Sequence, residues 1–127
     1  MNTNIKATNI ELTSAISDYV NKCLSGVEKF IKEGEEAIVQ VEVGKTTKHH
    51  KQGDFFRAEF NIEISGSKFY SFSEREDLYI AIDEAREEVV RQIKTRKEKK
   101  QTLFKRGSSR IKNIIKGLSD RNPFGSK

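Results

Sequence analysis

Alternating apolar residues mark the strands that this sequence predicts. The alternation is clearest over residues 56–64, where Phe56, Ala58, Phe60, Ile62 and Ile64 are interrupted by charged or polar side chains. Such a strand buries one face and exposes the other to water. The same period-two pattern appears over residues 4–8, 37–43 and 68–73, and Ser65-Gly66-Ser67 marks a turn before the last of these. The pattern therefore predicts four strands.

Two segments have the three- and four-residue spacing of an amphipathic helix. In the first, Thr13 is the predicted N-cap and Gly34 the predicted C-terminal stop. Its apolar positions are Ile16, Val20, Cys23, Leu24, Val27, Phe30 and Ile31. The second is predicted to begin at Asp77, with Ser73 as a rival start, and to reach Gln101. Its apolar positions are Leu78, Ala81, Ile82, Ala85, Val89 and Ile93.

The predicted element order is β-α-β-β-β-α, which belongs to the α+β class. Each helix has a single apolar stripe, so we expect both helices on one face of a four-stranded sheet. The first strand–helix–strand connection should be a right-handed crossover, with those two strands parallel if they are neighbours. Because the apolar stripe ends at Ile93, the second helix is expected to extend beyond the packed body.

The predicted domain is residues 1–101, and residues 102–127 are predicted to be a basic, flexible tail. Gly107-Ser108-Ser109 is typical of a linker. Four apolar residues after it would share one face of a short basic helix over residues 109–118. So short a helix is marginal in water. A disordered arm that becomes ordered on its RNA partner is favoured for this tail over a membrane-binding segment or plain disorder.

Positive charge is concentrated in the last third of the chain. Residues 91–127 contain thirteen Lys and Arg against two acids, whereas the whole chain has a net charge of +5. The rest of the sequence is therefore acidic. A cationic segment attached to an acidic domain favours a large polyanionic partner, and nucleic acid is the commonest.

The sequence does not indicate secretion, membrane insertion or catalysis. Its apolar runs are far shorter than a membrane span, and no signal peptide is visible. Cys23 is the single cysteine, which fits a reducing cytoplasm, and its position indicates a small core residue. His49, His50 and Asp54 lack the spacing of a metal site. We therefore expect no catalytic residue, no metal and no other cofactor.

Four segments, taken in order, resemble the ribosome hibernation promoting factors, also called ribosome-associated inhibitors or ribosomal subunit interface proteins. They are Asn4-Ile5-Lys6 with Leu12-Thr13-Ser14-Ala15-Ile16; Val27-Glu28-Lys29-Phe30; Gly53-Asp54-Phe55-Phe56-Arg57-Ala58-Glu59; and Asp77-Leu78-Tyr79-Ile80-Ala81-Ile82-Asp83 followed by Arg91-Gln92-Ile93 and the basic run. The resemblance covers about residues 2–101. It implies a short-form member whose fold is related to double-stranded RNA-binding domains.

The resemblance implies a ribosome ligand that is not an enzyme. Members of this family bind the small subunit between head and body, at the decoding region of 16S rRNA. They occupy the space needed by messenger RNA and by A- and P-site tRNA, and so keep ribosomes inactive in stationary phase or under stress. The implied protein is cytoplasmic, is a monomer off the ribosome and has no small-molecule substrate.

The RNA-binding candidates are ten basic residues on the two predicted helices and just after the first. They are Lys22, Lys29, Lys32, Arg86, Arg91, Lys94, Arg96, Lys97, Lys99 and Lys100. Lys29, Arg91, Lys94, Lys97 and Lys100 carry over by motif from the family. Cations on a rigid helix can contact phosphates and release condensed counterions. The alternative for the run at residues 91–100 is a solvated helix end that complements the helix dipole.

Two departures from the family pattern change these expectations. Many relatives have lysines on the first helix where Cys23 and Gly26 stand here, so weaker RNA binding is expected on that surface. Longer members carry a second C-terminal domain that pairs two ribosomes. The 26 residues after Gln101 are too few for it, so direct pairing is not expected.

Two other functions remain open from the residues alone. A general double-stranded RNA-binding module would use the same basic helix without preferring ribosomes. A helical assembly protein would use the long helix for coiled-coil contacts, but the apolar positions needed for that seam end at Ile93.

Overall fold

The computed structural model describes the backbone of residues 1–46 and 54–120, and the side chains in these ranges as far as Lys99. His49 and His50 lie outside the described residues. The elements are β1 (Asn2–Thr8), α1 (Ser14–Glu28), β2 (Ala37–Thr46), β3 (Phe55–Ile64), β4 (Ser67–Arg75) and α2 (Leu78–Asp120). The predicted order β-α-β-β-β-α is confirmed.

The four strands form one sheet in the order β1-β2-β3-β4. β1 is parallel to β2, as the crossover rule predicts, and the other two pairs are antiparallel. A two-residue turn joins β3 to β4, and both of its residues have positive φ: 48° at Ser65 and 84° at Gly66. Two consecutive positive φ angles favour the right-handed twist of a tight hairpin.

The hydrophobic core lies between one face of the sheet and the two helices. Val41 of β2 and Phe60 of β3 are register partners, and both are buried against the helices. Val20 of α1 and Ile82 of α2 are fully buried in the same cluster. Both helices therefore pack on one face, as their single apolar stripes predict. Among the described residues of the body, no element packs on the other face of the sheet.

The structure corrects the predicted end of α1. Thr13 is the N-cap, and its hydroxyl accepts a hydrogen bond from the Ile16 amide at 3.2 Å. The helix ends at Glu28 rather than near Gly34. The amides of Phe30 and Ile31 donate to carbonyls only three residues back, so the chain tightens into turns before reaching Gly34.

Asp77 caps α2. Its carboxylate accepts hydrogen bonds from the amides of Tyr79 and Ile80 at 2.8 and 3.3 Å. The rival start, Ser73, lies within β4 and donates its hydroxyl to Glu84 at 2.7 Å. The carboxylate at Asp77 therefore fixes where the helix begins.

The predicted linker at Gly107-Ser108-Ser109 is wrong, because α2 continues through it to Asp120. One glycine costs a helix only about 1 kcal/mol relative to alanine, and helix-forming residues flank this one. The predicted helix over residues 109–118 is therefore part of α2. The chain divides into two compact units, the body Met1–Ile93 and a basic unit Lys94–Lys127. The domain boundary after residue 101 stays a prediction.

Candidate nucleic-acid interface

The ten predicted RNA-binding residues are divided between the two units. The body contains Lys22, Lys29, Lys32, Arg86 and Arg91, and the basic unit contains Lys94, Arg96, Lys97, Lys99 and Lys100. Residues 1–93 carry twelve Lys and Arg against seventeen acids, a net charge of −5. Residues 94–127 carry twelve against two, a net charge of +10. The attraction for phosphate is therefore concentrated in the basic unit.

The basic unit presents its first cations to solvent. Lys94, Arg96 and Lys99 are exposed on α2, and Lys97 is half-buried. The side chain of Lys100 lies outside the described residues. Glu98 is the one acid between Lys94 and Lys100. This stretch can therefore meet a polyanion with little internal neutralisation.

On α1 the candidate lysines are separated. Lys22 is exposed within the helix, Lys29 is its C-terminal cap, and Lys32 lies in the turn that follows. The Lys32 amide donates to the Glu35 carboxylate at 2.8 Å, which anchors the backbone of that turn. Exposed Asp18 and other acids lie on the same helix and turn. These lysines are therefore individual contacts rather than a continuous basic patch.

A depression between α1 and α2 brings Lys22 and Arg86 to one place. Tyr19, Cys23 and Asp83 also line it. The Tyr19 hydroxyl donates to Asp83 at 2.5 Å, and this bond joins the two helices. The Nε of Arg86 is buried without a hydrogen-bond partner among the described residues. Sequence reasoning listed Lys22 and Arg86 but missed the Tyr19–Asp83 bond that organises their surroundings.

Two pKa values in this depression are shifted. The hydrogen bond to Asp83, with burial and the negative charge of Asp83, raises the pKa of Tyr19 to about 12. Burial raises the pKa of Cys23, although the positive charge of Arg86 opposes this shift. The thiol is therefore protonated at neutral pH, and Cys23 packs against the core as predicted. It lacks the thiolate character of a nucleophile.

Tyr79 packs edge-on against Tyr19, with ring centroids 4.9 Å apart and planes at 86°. Tyr79 lies one position off the apolar stripe of α2. Residues four apart are neighbours on a helix, so the sequence placed Tyr79 next to Asp83 beside this stripe. That spacing was the available signal for the cluster of Tyr19, Tyr79 and Asp83.

Arg91 is held on the surface by Glu88. Its guanidinium donates to both carboxylate oxygens of Glu88, the shortest bond being 2.7 Å. Hydrogen bonds from Gln92 and Arg91 lower the pKa of Glu88. Gln92 in turn bonds both backbone groups of Tyr70 on β4. Arg91 is thus positioned but partly neutralised by Glu88, which weakens it as a phosphate ligand.

No metal site or membrane span was found in the part of the chain that the structure describes. Within it, no three His, Cys, Asp or Glu residues are grouped closely enough to hold an ion. Within it, too, no helix has the length and apolarity to cross a bilayer.

A sequence model of the Sigma 54 modulation protein / S30EA ribosomal protein family matches residues 3–101. The chain belongs to this family. The match covers α1, the sheet except for Asn2, and the first basic turns of α2. It therefore includes every residue that the sequence analysis assigned to RNA binding.

Members of the S30EA family with curated names agree with this assignment. The chain is 31% identical over 110 residues to a ribosome hibernation promoting factor of Pseudomonas putida, covering 87% of this chain and 100% of that one. It is 30% identical over 118 residues to a ribosome hibernation promotion factor of Bacillus subtilis, covering 93% of this chain but 60% of the relative. The resemblance to ribosome hibernation promoting factors is confirmed.

Solved structures of relatives have the same fold. The Protein Y N-terminal domain of Thermus thermophilus is 30% identical, with a TM-score of 0.63 over 75% of this chain and 98% of that one. A ribosomal subunit interface protein of Coxiella burnetii matches with a TM-score of 0.60 over 77% of this chain and 99% of that one. At 14% identity the second match concerns the fold alone.

Proposed function

We propose that this protein is a ribosome hibernation factor that binds the small ribosomal subunit in its mRNA and tRNA channel and inhibits translation by occupying that space. Its partner is the 16S rRNA of the decoding region. It performs no chemistry, uses no cofactor, acts in the cytoplasm and is a monomer off the ribosome. The names of its relatives, which refer to ribosome hibernation, support the biological context.

The observation that carries this proposal is the exposed basic stretch at the start of the basic unit, within the S30EA family match. Lys94, Arg96 and Lys99 lie on a continuous helix that begins in the folded body. A helix holds its cations at fixed spacing. The chain is therefore already ordered when these cations contact several phosphates. Such contacts position a protein on RNA without reading its sequence.

The acidic body gives the proposed inhibitor its selectivity. A net charge of −5 over residues 1–93 disfavours indiscriminate adhesion of the body to RNA. Discrimination would come from the shape of a folded domain against the shape of folded rRNA, with Lys22, Lys29, Lys32 and Arg86 as local contacts. Inhibition then follows from excluded volume, because messenger RNA and tRNA require the same channel.

The test is co-sedimentation with purified small subunits, large subunits and an isolated RNA duplex at the same ionic strength. We expect binding to vacant small subunits that added tRNA and messenger RNA prevent, and inhibition of in vitro translation over the same concentration range. Binding the duplex as tightly as the small subunit would favour a general double-stranded RNA-binding module. Binding that tRNA and messenger RNA do not displace would contradict occlusion of the channel.

A further inference from the structure

The face of the sheet opposite the hydrophobic core has two halves that differ in hydrogen bonding. In one half the Arg57 guanidinium lies 3.4 Å from Glu59 and 3.7 Å from Glu74. Its Cζ is also 4.1 Å from the centroid of the Phe72 ring. The Tyr70 hydroxyl donates to Glu59 and closes this network. Polar groups in this half are therefore occupied within the protein.

The other half is a groove of about 470 Å³, within the size range of small-ligand sites. The strand register places two rows side by side across it. They are Gln40–Asn61–Tyr70 and Ile38–Glu63–Lys68. Ile38 and Tyr70 are 46% and 42% exposed, so the groove has apolar and aromatic surface facing solvent.

Four polar side chains of this groove have no partner among the described residues. The amides of Gln40 and Asn61, the carboxylate of Glu63 and the ammonium of Lys68 form no hydrogen bond or ion pair there. They share the groove with the aromatic ring of Tyr70, which lies at the β4 edge. Neighbouring strands are about 4.8 Å apart and same-face residues about 7 Å apart, so the six side chains cover roughly 10 by 7 Å. That is the area of one nucleotide.

We propose that this groove binds an unpaired guanine of single-stranded RNA. Tyr70 offers an aromatic surface on which a base can stack. Asn61 and Gln40 can donate to the acceptors O6 and N7, and the Glu63 carboxylate can accept from the N1–H and N2–H donors of guanine. Lys68 can contact the adjacent phosphate.

Guanine fits this set better than the other bases. Its Watson–Crick edge carries two adjacent donors beside one acceptor, which matches a carboxylate next to an amide. Adenine presents a ring nitrogen acceptor where guanine presents N1–H, so Glu63 would face an acceptor without a proton between them. Repulsion of the wrong base therefore adds to attraction of the right one.

The groove is distinct from the proposed ribosome-binding residues, and this inference does not depend on the proposed function. α1 and α2 cover the core face of the sheet, whereas the groove residues lie on the opposite face. Ribosome co-sedimentation tests the proposed function, and a local NMR signal in the groove tests the proposed binding of guanine. Either can fail while the other holds.

The experiment is an NMR titration of the full ¹⁵N-labelled chain with uridine heptamers that carry a central guanine, adenine or uracil. The side-chain NH₂ signals of Gln40 and Asn61 report on the groove even if the basic unit also binds the strand. We expect these signals to shift with the guanine oligomer at about tenfold lower concentration than with the adenine oligomer. A parallel titration with GMP shows whether the groove binds a free nucleotide or requires the guanine to be part of an RNA strand.

Glu63→Gln should abolish the preference for guanine, and Glu74→Gln on the paired half of the same face is the matched control. Gln40→Ala is a second variant, in which binding is followed by the side-chain NH₂ signal of Asn61. The proposal would be overturned if the Gln40 and Asn61 signals shift with none of the three oligomers, or shift equally with the guanine and adenine oligomers. It would also be overturned by a guanine preference that survives Glu63→Gln, or by a response to GMP without one to the guanine oligomer.

Discussion

The body and the basic unit differ in both packing and charge. In the body, eighteen apolar residues of the sheet and both helices are buried in one core. In the described start of the basic unit, Lys94, Thr95, Arg96, Glu98 and Lys99 are all exposed. The body therefore owes its structure to buried area, whereas the basic unit offers charge at helical spacing.

This contrast separates two tasks that one surface would combine poorly. A densely charged surface binds any polyanion and discriminates little. A folded, acidic body discriminates by shape but gains little from phosphate. Dividing the charges, −5 over residues 1–93 and +10 over residues 94–127, lets affinity and selectivity be changed independently. Variants in the two units should therefore have different physical signatures.

The largest expected effect is the response of ribosome binding to salt. If about six phosphates are neutralised, affinity should fall about a thousandfold between 50 and 200 mM monovalent salt. Co-sedimentation or fluorescence anisotropy with small subunits measures it. The control is urea unfolding of the free protein over the same salt range. Exposed ion pairs contribute at most about 1 kcal/mol, so the body should change little. Salt-insensitive binding would contradict a charge-based role for the basic unit.

The second prediction is that the location of the charges matters more than their total. The triple variant Lys94→Glu, Arg96→Glu and Lys99→Glu should weaken small-subunit binding on the order of a hundredfold and lower the salt slope by about three. The control carries Lys6→Glu, Lys45→Glu and Arg75→Glu, which change the net charge equally but lie on strands of the body. Equal losses in both variants would mean that net charge alone drives binding.

The fold was largely predictable because its elements alternate in polarity with the correct period. The buried positions of β3 and the parallel pairing of β1 with β2 follow from hydrophobic pattern and chain handedness. The end of α1 did not follow, because tight backbone turns stop that helix before the glycine. The helical state of Gly107 did not follow either, since composition suggested a linker and flanking propensity outweighed it.

The basic candidates could be named from sequence, but their neighbours could not. Lysine and arginine outside an apolar stripe are solvent-facing by default, so Lys22, Lys94 and Lys99 were accessible to pattern analysis. The Tyr19–Asp83 bond joins residues 64 positions apart. Periodicity reports which residues are buried and not which polar groups meet, so a tertiary hydrogen bond of this kind leaves little trace in one sequence.

The third prediction concerns the body alone. The Gln92 carboxamide accepts from the Tyr70 amide at 3.1 Å and donates to its carbonyl at 2.8 Å, which satisfies part of the β4 edge. Gln92→Ala should lower the free energy of unfolding by about 1–2 kcal/mol, because both bonds to Tyr70 are lost together with the bond to Glu88. Urea denaturation measures this. The salt slope of ribosome binding should not change. Wild-type stability in the variant would show that water replaces the carboxamide at no cost.

The smallest effect is expected at Tyr19. Tyr19→Phe removes its hydroxyl bond to Asp83 and should cost about 1 kcal/mol at neutral pH, measured by urea denaturation. The pKa of Tyr19 is raised to about 12 from 10.0, so the folded state holds this proton more tightly than the unfolded state. The stabilisation is therefore complete below pH 10 and is lost as pH rises towards 12.

The stability advantage of the wild-type protein over Tyr19→Phe should consequently shrink over this alkaline range. Tyr79→Phe is the matched control, because it keeps the edge-on ring contact and the Tyr19–Asp83 bond. The ultraviolet absorbance of tyrosinate gives a second readout, since the variant should lose one high-pH transition. If the stability difference stays constant to pH 12, the bond to Asp83 does not hold the proton. The body would then owe its helix–helix contact at this point to ring packing rather than to charge.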